Sequence, residues 1–259
     1  MKVLIIGDIV GNPGRNAVKK FIADSDALHK FELIIANGEN AAGGSGITAS
    51  ITNELLSSGI DVITTGDHIW KRKEVIDIID IEPRLLRPAN YPGGVPGKGS
   101  IIATTRGGIK VGVLNLLGRV FMAPLDCPFK AATKEIERIK KITNVIIVDI
   151  HAEATSEKIA LGWYLDGLAS AVVGTHTHVQ TADQRVLPNG TAYISDIGMT
   201  GPIDSVLGRR REDVLQRFVS CMPVRFEIAS ENIQVQGVVV DIDSKTGRAI
   251  SIERVQKKL

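Results

Sequence analysis

The chain has 259 residues, of which 44% are hydrophobic and 23% are charged, and its formal net charge is +2. This composition is typical of a globular protein with a sizeable core. The charge is too balanced to indicate a nucleic-acid or membrane partner by bulk electrostatics. No apolar stretch approaches the roughly 18 residues of a membrane-spanning helix. Two cysteines do not indicate a disulfide scaffold, and the chain starts on a strand-like segment without signal-peptide architecture. The sequence therefore indicates a cytoplasmic protein.

Short apolar segments that alternate with amphipathic ones predict an α/β fold. In the first half the predicted elements are strand 3–6, a helix from 11 to about 28, strand 33–36, helix 48–58, strand 62–65 and a short charged helix from about 71. A proline- and glycine-rich loop covers 83–99. The second half is predicted as hairpin 101–113, helix 130–141, strand 145–150, helix 155–164, strand 169–173, hairpin 184–195, glycine-rich loop 196–208, a short helix from 211 and antiparallel strands within 224–255.

Polar side chains with metal-ligand chemistry follow five of these strands. In open α/β sheets, sites gather just beyond the carboxyl ends of the strands, so we expect these side chains to meet. They are Asp8, Glu39, Asn40, Asp67, His68, His151, His176 and His178. Mixed oxygen and nitrogen ligands suit first-row metals such as iron, manganese or zinc, and the set is too large for one ion. A carboxylate can bridge two ions about 3.5–4 Å apart, which is the geometry of two-metal phosphate chemistry.

The segment Gly174-Thr-His-Thr-His-Val-Gln180 is central to this prediction. Residues two apart in a strand point the same way, so His176 and His178 present their imidazoles together if the chain stays extended. Neutral imidazole is a common ligand of transition metals. The alternative for this segment alone is a polar surface loop with two histidines.

Three other motifs are excluded. The glycines at 7, 11 and 14 do not have the spacing of a dinucleotide-binding turn. Residues 92–99 contain a Gly-Lys pair but are not a P-loop, because Pro92 and Gly99 stand where that motif requires glycine and serine or threonine. His151-Ala-Glu153 would suit a zinc deaminase, but no P-C-x-x-C follows.

Taken together, the motifs at Asp8, Gly66-Asp-His68, His151 and 174–178 resemble the calcineurin-type metallophosphoesterases. The closer resemblance is to the bacterial YmdB-like branch, which hydrolyses 2′,3′-cyclic nucleotides, and it covers essentially the whole chain. The segments that carry it are Gly7-Asp-Ile-Val-Gly-Asn-Pro-Gly-Arg15, Asn37-Gly-Glu-Asn-Ala-Ala42, His151-Ala-Glu-Ala-Thr-Ser-Glu-Lys158, residues 174–183 and Asp196-Ile-Gly-Met-Thr-Gly-Pro202.

The resemblance implies a four-layer α/β/β/α sandwich with two mixed sheets, formed as a single metallophosphoesterase domain over residues 1–259. It also implies two divalent transition-metal ions, most often iron or manganese, with zinc as an alternative. The implied ligands of the first ion are Asp8, Glu39, Asn40 and His178. Those of the second are Glu39, Asp67, His151 and His176, so that Glu39 bridges the two ions.

The resemblance further implies that His68 is not a ligand but the acid that protonates the leaving oxygen. An imidazole suits this role because its ordinary pKa lies near neutrality. The implied reaction is hydrolysis of a 2′,3′-cyclic nucleotide to a 3′-nucleotide. Arg15, Lys71 and Arg119 are candidate phosphate contacts, with ordinary surface charge as the alternative. Trp70 and Trp163 are candidates to stack a base, although packing in the core or pocket wall is favoured.

One position departs from the family pattern. The usual third block is Gly-Asn-His, and here residue 67 is an aspartate. Its oxygen can replace the amide oxygen as a ligand, but it removes one unit of positive charge from the site. Two alternatives stay open: a metal-dependent regulatory protein with weak turnover, and a 3′,5′-cyclic nucleotide phosphodiesterase or nuclease. An RNA substrate, which the charge does not indicate, and a homo-oligomer also stay open.

Overall fold

The computed structural model describes residues 1–24 and 27–259. Within these residues the chain forms two β-sheets flanked by helices. Sheet A contains β1 (Lys2–Ile6), β2 (Asp8–Ile9), β3 (Leu33–Asn37), β4 (Val62–Thr64), β11 (Met199–Pro202), β12 (Ile233–Ile242) and β13 (Ala249–Lys258). Sheet B contains β5 (Ser100–Thr104), β6 (Lys110–Leu117), β7 (Ile146–His151), β8 (Ala171–Thr175), β9 (Arg185–Val186) and β10 (Ala192–Ile194). The helices are α1 (Gly11–Asp24), α2 (Ala27–Lys30), α3 (Ala49–Ser57), α4 (Pro128–Lys140), α5 (Thr155–Tyr164) and α6 (Arg211–Ser220).

Both sheets are mixed. Sheet A has the order β2-β11-β12-β1-β3-β4, with β13 on the other edge of β12. Its β1, β3 and β4 are parallel, whereas β12 runs antiparallel to β1 and β13. Sheet B has the order β5-β6-β7-β8-β10-β9. Its four central strands are parallel and its two edge strands are antiparallel to their neighbours.

The alternation of side chains along β1 shows how sheet A is covered on both faces. Val3 and Ile5 belong to the apolar core between the two sheets. Leu4 and Ile6 point the other way, into the core shared with α1 and α3. Residues of a strand alternate between faces, so a continuous apolar run is what a strand buried on both sides requires.

Sheet B is also covered on both faces, by sheet A on one side and by helices on the other. Val111 and Val113 of β6 face the core between the sheets. Leu114 and Leu116 face α4 and α5 on the outside. The layers are therefore helix, sheet, sheet and helix, and the four-layer sandwich with two mixed sheets is confirmed.

Most predicted elements are present, with three differences. The predicted loop 196–208 contains a strand, β11, which pairs with β2 and β12. The predicted charged helix from about 71 is two 3₁₀ turns, Ile69–Lys71 and Lys73–Asp77. The predicted helix from 11 to 28 is α1 over most of its length, and residues 25 and 26 of that prediction lie outside the described residues. Among the described helices, none is long and apolar enough to cross a membrane.

Candidate metal centre

The predicted ligands meet where the carboxyl ends of both sheets come together. Sheet A supplies Asp8 at the start of β2, Glu39 and Asn40 after β3, and Asp67 and His68 after β4. Sheet B supplies His151 as the last residue of β7, and His176 and His178 after β8. The site therefore spans the edge of the sandwich and draws on both sheets.

The first group of donors consists of Glu39, Asp67, His151 and His176. One ligand atom from each lies within 4.8 Å of the others. The Nε2 atom of His151 is 3.1 Å from Glu39 Oε2, 3.3 Å from Asp67 Oδ1 and 2.9 Å from His176 Nδ1. Two carboxylates and two imidazoles that converge in this way are a ligand set for a first-row transition metal.

A second group lies on the other side of Glu39 and consists of Asp8, Asn40 and His178. His178 Nε2 is 3.7 Å from Asp8 Oδ1 and 3.1 Å from Asn40 Nδ2. Asn40 Nδ2 in turn donates to Glu39 Oε1 at 2.9 Å. The two carboxylate oxygens of Glu39 thus face different groups, with Oε2 toward the first and Oε1 toward the second.

Each group contains a buried carboxylate oxygen that has no hydrogen-bond partner. These atoms are Oδ1 of Asp8 and Oδ1 of Asp67; the latter lies 3.3 Å from His151 Nε2 but outside hydrogen-bond geometry. A buried acceptor without a partner is costly, and such atoms are rare in folded proteins. A bound cation would satisfy both, so the residues present fit a metal in each group.

The electrostatics of the pocket also favour a cation. Burial raises the pKa of Asp8 well above its ordinary value. Burial opposes ionisation of Glu39 and of Asp67 too, but His151 beside them holds the pKa of both carboxyls below its ordinary value. Burial likewise opposes protonation of His151, yet Glu39 and Asp67 raise the pKa of its imidazole well above the usual range. Asp8 and Glu39 are buried and Asp67 is partly exposed, and three carboxylates this close together favour a positive charge between them.

The outer nitrogen of His151 is held by a buried polar chain. Its Nδ1 lies 2.9 Å from Thr175 Oγ1, which donates to Asp149 Oδ1 at 2.8 Å. Asp149 also accepts from Thr64 Oγ1 at 2.5 Å and from Asn37 Nδ2 at 3.3 Å. This chain fixes the ring so that Nε2 faces the other ligands, as outer partners of metal-binding histidines generally do.

The other two histidines have outer partners as well. His176 Nε2 lies 3.0 Å from Glu153 Oε2, and His178 Nδ1 lies 3.2 Å from the carbonyl oxygen of Leu207. In all three rings, therefore, one nitrogen faces the carboxylates of the site and the other nitrogen contacts a polar group outside it. In the sequence, Glu153 stands out only as part of a rejected deaminase motif and of the family segment 151–158, with no role of its own, and Asp149 was not predicted. The signal that could have found Asp149 is a carboxylate inside an otherwise apolar strand.

The segment that carries His176 and His178 does not stay extended. Both residues have a left-handed backbone, with φ of 101° and 63°. The condition under which an extended chain would point both imidazoles the same way is therefore not met. Instead His176 enters the first donor group and His178 the second. Non-glycine residues adopt this conformation at some cost, and the surrounding contacts must hold it.

His68 borders both groups without joining either. Its Nδ1 is 2.8 Å from Asn40 Oδ1 and 3.3 Å from Glu39 Oε1, and its Nε2 is 3.7 Å from Asp67 Oδ2. The contact with Glu39, more than any other, raises the pKa of His68 above its ordinary value. The ring is partly exposed and so can be reached by a bound substrate.

The candidate phosphate contacts separate into two kinds. Arg15 is engaged within the fold, since its Nε lies 3.1 Å from the Glu54 carboxylate and its Nη1 donates to the Ala41 carbonyl at 2.6 Å. The side chains of Lys71 and Arg119 are exposed at the surface. For Arg15, these contacts indicate a structural role, and its contact with phosphate stays a prediction, as it does for Lys71 and Arg119.

The two tryptophans also differ. Trp70 packs edge-on against Tyr91, with ring centroids 5.8 Å apart, beside the core under α1 and α3. Trp163 is half exposed, and the guanidinium of Arg185 lies 5.4 Å from its ring centroid. The expectation of packing fits Trp70 and does not fit Trp163.

A four-layer sandwich with carboxylates and imidazoles gathered at the edge of both sheets is the architecture that the metallophosphoesterase resemblance implied. The chain matches the model of a family described as YmdB-like protein over residues 4–255. It belongs to the YmdB-like protein family.

Two relatives show the range of similarity. The chain is 53% identical over 255 residues to the 2′,3′-cyclic-nucleotide 2′-phosphodiesterase of Bacillus subtilis, with 98% of this chain and 96% of the relative covered. It is 34% identical over 266 residues to a putative phosphatase/phosphodiesterase of Mycoplasma genitalium, with 99% and 92% covered.

Solved structures are similar along the whole chain. A hypothetical protein from Thermus thermophilus has a TM-score of 0.93 at 40% identity, with 100% of this chain and 99% of that chain covered. A structure described as a novel phosphatase from Mycoplasma pneumoniae has a TM-score of 0.91 at 33% identity, with 100% and 93% covered.

Proposed function

We propose that this chain is a metal-dependent phosphodiesterase that opens 2′,3′-cyclic nucleotides to 3′-nucleotides. One observation carries the proposal: Glu39 turns one oxygen toward each of two donor groups, and each group holds a buried carboxylate oxygen without a partner. The activity in the name of the Bacillus subtilis relative supports the choice of substrate.

The two donor groups would hold two divalent ions, with Glu39 between them. The ion in the first group would take Asp67, His151 and His176, and the ion in the second group would take Asp8, Asn40 and His178. Asn40 now turns its amide nitrogen toward His178 and its oxygen toward His68, so its side-chain amide must rotate to offer oxygen to an ion. Iron or manganese suits this mixture of oxygen and nitrogen ligands best, and zinc is also compatible.

When bound, such ions lower the pKa of a water nucleophile and offset the negative charge on the phosphoryl oxygens. The residues of the chain supply the rest. Water attacks phosphorus and gives up one proton to the solvent, and the bond between phosphorus and the 2′ oxygen breaks. His68 donates a proton to that oxygen as it leaves, which gives a 2′ hydroxyl and a 3′ phosphomonoester. The Glu39 carboxylate raises the pKa of His68, which favours the protonated ring that this role requires.

The experiment compares two substrates on protein reconstituted with manganese. We expect 2′,3′-cyclic AMP to be hydrolysed faster than 3′,5′-cyclic AMP, with 3′-AMP as the product separated by chromatography. Asp8→Asn is the matched control, because it removes a ligand while keeping the size of the side chain. Formation of 2′-AMP, or a preference for 3′,5′-cyclic AMP, would contradict the proposal.

A further inference from the structure

The loop of residues 41–46 follows Asn40 of the second donor group and contains three glycines. Three arginines from elsewhere in the chain donate to its carbonyl oxygens. They are Arg15, whose Nη1 lies 2.6 Å from the oxygen of Ala41, Arg72, whose Nη2 lies 2.9 Å from that of Ala42, and Arg209, whose Nη2 lies 2.6 Å from that of Gly44. Three guanidinium groups therefore meet at a loop that begins in the candidate metal centre.

The three arginines differ in their counter-ions. Arg15 has one, since its Nε lies 3.1 Å from Glu54 Oε2. The side-chain hydrogen bonds of Arg72 and Arg209 within the described chain go only to carbonyl oxygens of the loop. Burial lowers the pKa of the half-buried Arg209, and no carboxylate of the described residues acts against this shift. Because Arg15 holds the loop with its charge paired, the unpaired charges of Arg72 and Arg209 are not needed for holding it and can serve an anion.

Two glycines let both guanidinium groups reach the loop. Gly43 and Gly44 have left-handed backbones, with φ of 65° and 82°. A Cβ added at Gly43 would lie 3.3 Å from Arg72 Nη2, and one added at Gly44 would lie 2.7 Å from Arg209 Nη2. Gly43 is exposed and has no side chain, so an anion can approach the backbone closely at the point where the guanidinium groups lie.

The pair of Arg72 and Arg209 lies close to the reacting groups. Arg72 follows His68 by four residues, after a single 3₁₀ turn. Arg209 follows Leu207 by two residues, and the carbonyl oxygen of Leu207 is 3.2 Å from His178 Nδ1. One arginine therefore comes from the side of the general acid and the other from the side of the second donor group.

The chemistry of the substrate indicates which anion the pair takes. In a 2′,3′-cyclic nucleotide the base occupies C1′ and both secondary oxygens belong to the cyclic phosphate, so only the 5′ oxygen can carry a second phosphate. Arginine recognises phosphate through its fork of N–H donors. We propose that Arg72 and Arg209 bind a phosphate on the 5′ oxygen of the substrate. This inference rests on the proposed function and narrows its substrate to a 5′-phosphorylated mononucleotide or the 3′ end of an oligoribonucleotide.

The test compares three substrates on protein reconstituted with manganese: 2′,3′-cyclic AMP, the same nucleotide with a 5′ phosphate, and a diadenosine dinucleotide with a 2′,3′-cyclic end. We expect the second phosphate to lower the KM by roughly 10-fold, the usual effect of one hydrogen bond to a charged group. A lower KM for the 5′-phosphorylated nucleotide alone identifies mononucleotides as the source, and a lower KM for the dinucleotide identifies RNA ends. Equal KM values for all three would overturn the proposal.

Substitutions separate phosphate binding from holding the loop. Arg72→Gln and Arg209→Gln should each remove most of the preference for the second phosphate. Arg72→Lys and Arg209→Lys should keep part of it, because lysine retains the positive charge. Arg84→Gln is the control, since Arg84 pairs with Glu82 at 2.7 Å. Glutamine variants that changed the KM of all three substrates by one factor would show that the arginines only hold the loop, which would overturn the proposal.

Binding of products tests the phosphate site without turnover. Adenosine 3′,5′-bisphosphate carries the second phosphate and 3′-AMP lacks it. Titration calorimetry should find that the wild-type chain binds the bisphosphate more tightly by roughly 10-fold, and that the glutamine variants, shown to be folded by circular dichroism melting, lose this difference.

The same titration distinguishes this proposal from the proposed function. Arginine-dependent binding of the bisphosphate by a chain that does not hydrolyse 2′,3′-cyclic AMP would support the phosphate site and contradict the reaction. Equal affinity of the wild-type chain for both products would overturn the phosphate site, whether or not hydrolysis occurs.

Discussion

The side chains around the donor groups determine how the three histidine rings are oriented. Each histidine of the centre has one nitrogen toward the carboxylates and one nitrogen held from outside. The outer partner of His176 is the carboxylate of Glu153, two residues after the end of β7. An outer carboxylate orients an imidazole and makes it a more basic ligand. We therefore assign Glu153 a positioning role rather than a place among the ligands.

Glu153→Gln should weaken metal binding while leaving the fold intact. The glutamine keeps a hydrogen-bond acceptor near His176 but removes the negative charge. We expect the dissociation constant for manganese to rise by roughly 10–100-fold, the usual effect of losing an outer partner. Titration calorimetry measures it, with Glu137→Gln on the exposed side of α4 as the control. Equal affinities of both variants would show that Glu153 does not position His176.

Replacing His68 and His176 by alanine should have different effects on metal content and hydrolysis rate. His68→Ala should keep its metal and lose roughly 10²–10⁴-fold in rate, the usual contribution of a general acid. His176→Ala should lose metal together with activity, because its Nδ1 lies among the donors of the first group. Metal content and hydrolysis rate are measured on the same samples. If His68→Ala lost its metal as readily, the division of roles would be wrong.

Asp67 tests the charge of the site. With Asp8, Glu39 and Asp67 ionised around two divalent ions, the formal charge is about +1, and with asparagine at position 67 it is about +2. The more positive site attracts phosphate more strongly but holds its ions with less anionic support. Asp67→Asn should therefore raise the hydrolysis rate at saturating metal and weaken retention of one ion. A metal titration of both proteins against 2′,3′-cyclic AMP measures this. A variant slower at every metal concentration would contradict the charge argument.

The sequence predicted the types of the site residues better than their arrangement. Asp8, Glu39 and His151 were expected together because each follows a strand, and the ends of parallel strands meet at one edge. The orientation of His176 could not be predicted, because it depends on a left-handed backbone that contacts distant in sequence impose. Glu153 was not found for a related reason, since its role depends on where His176 lies.

At the scale of elements, a buried ion pair holds the segment that follows β8. Asp196 Oδ2 accepts from Lys158 Nζ of α5 at 2.8 Å, and from the backbone N–H and hydroxyl of Thr177 at 3.0 and 2.7 Å. Thr177 lies between His176 and His178. The pair therefore ties α5 and the connection between β10 and β11 to the strained segment that supplies two histidines.

Lys158→Met should destabilise the fold, because it leaves the Asp196 carboxylate buried without its cation. We expect a loss of about 3 kcal/mol in the free energy of unfolding, as for other broken buried pairs. Arg84→Met is the control: its partner Glu82 lies near the surface, and such pairs contribute at most about 1 kcal/mol. Urea denaturation measures both. A loss for Lys158→Met no larger than for the control would show that the pair does not hold this segment.

The elements that the sequence predicted correctly are those with strong local patterns. Apolar runs such as those of β1, β3 and β7 are continuous because both of their faces are buried. The strand β11 could not be predicted in the same way, because it is short, contains Gly201 and Pro202, and forms through pairing with β2 and β12. Pairing between segments distant in sequence leaves little local signal.

At the scale of the whole molecule, the donor groups join the two sheets. Asp8, Glu39 and Asp67 come from sheet A, while His151 and His176 come from sheet B. Bound ions would therefore connect the two halves of the sandwich as well as serve chemistry. This arrangement explains why the ligands are scattered along the sequence and yet meet in the fold.

The measurement that tests this account most directly is the number of metal ions bound per chain. The chain is reconstituted with iron or manganese, freed of excess metal and analysed for its elements against protein concentration. We predict about two equivalents per chain, because one carboxylate is shared between two donor groups. We expect the number of bound ions to fall in the Glu39→Gln variant, which lacks this carboxylate. A stoichiometry near zero, or saturation at one equivalent in the wild-type chain, would contradict the account.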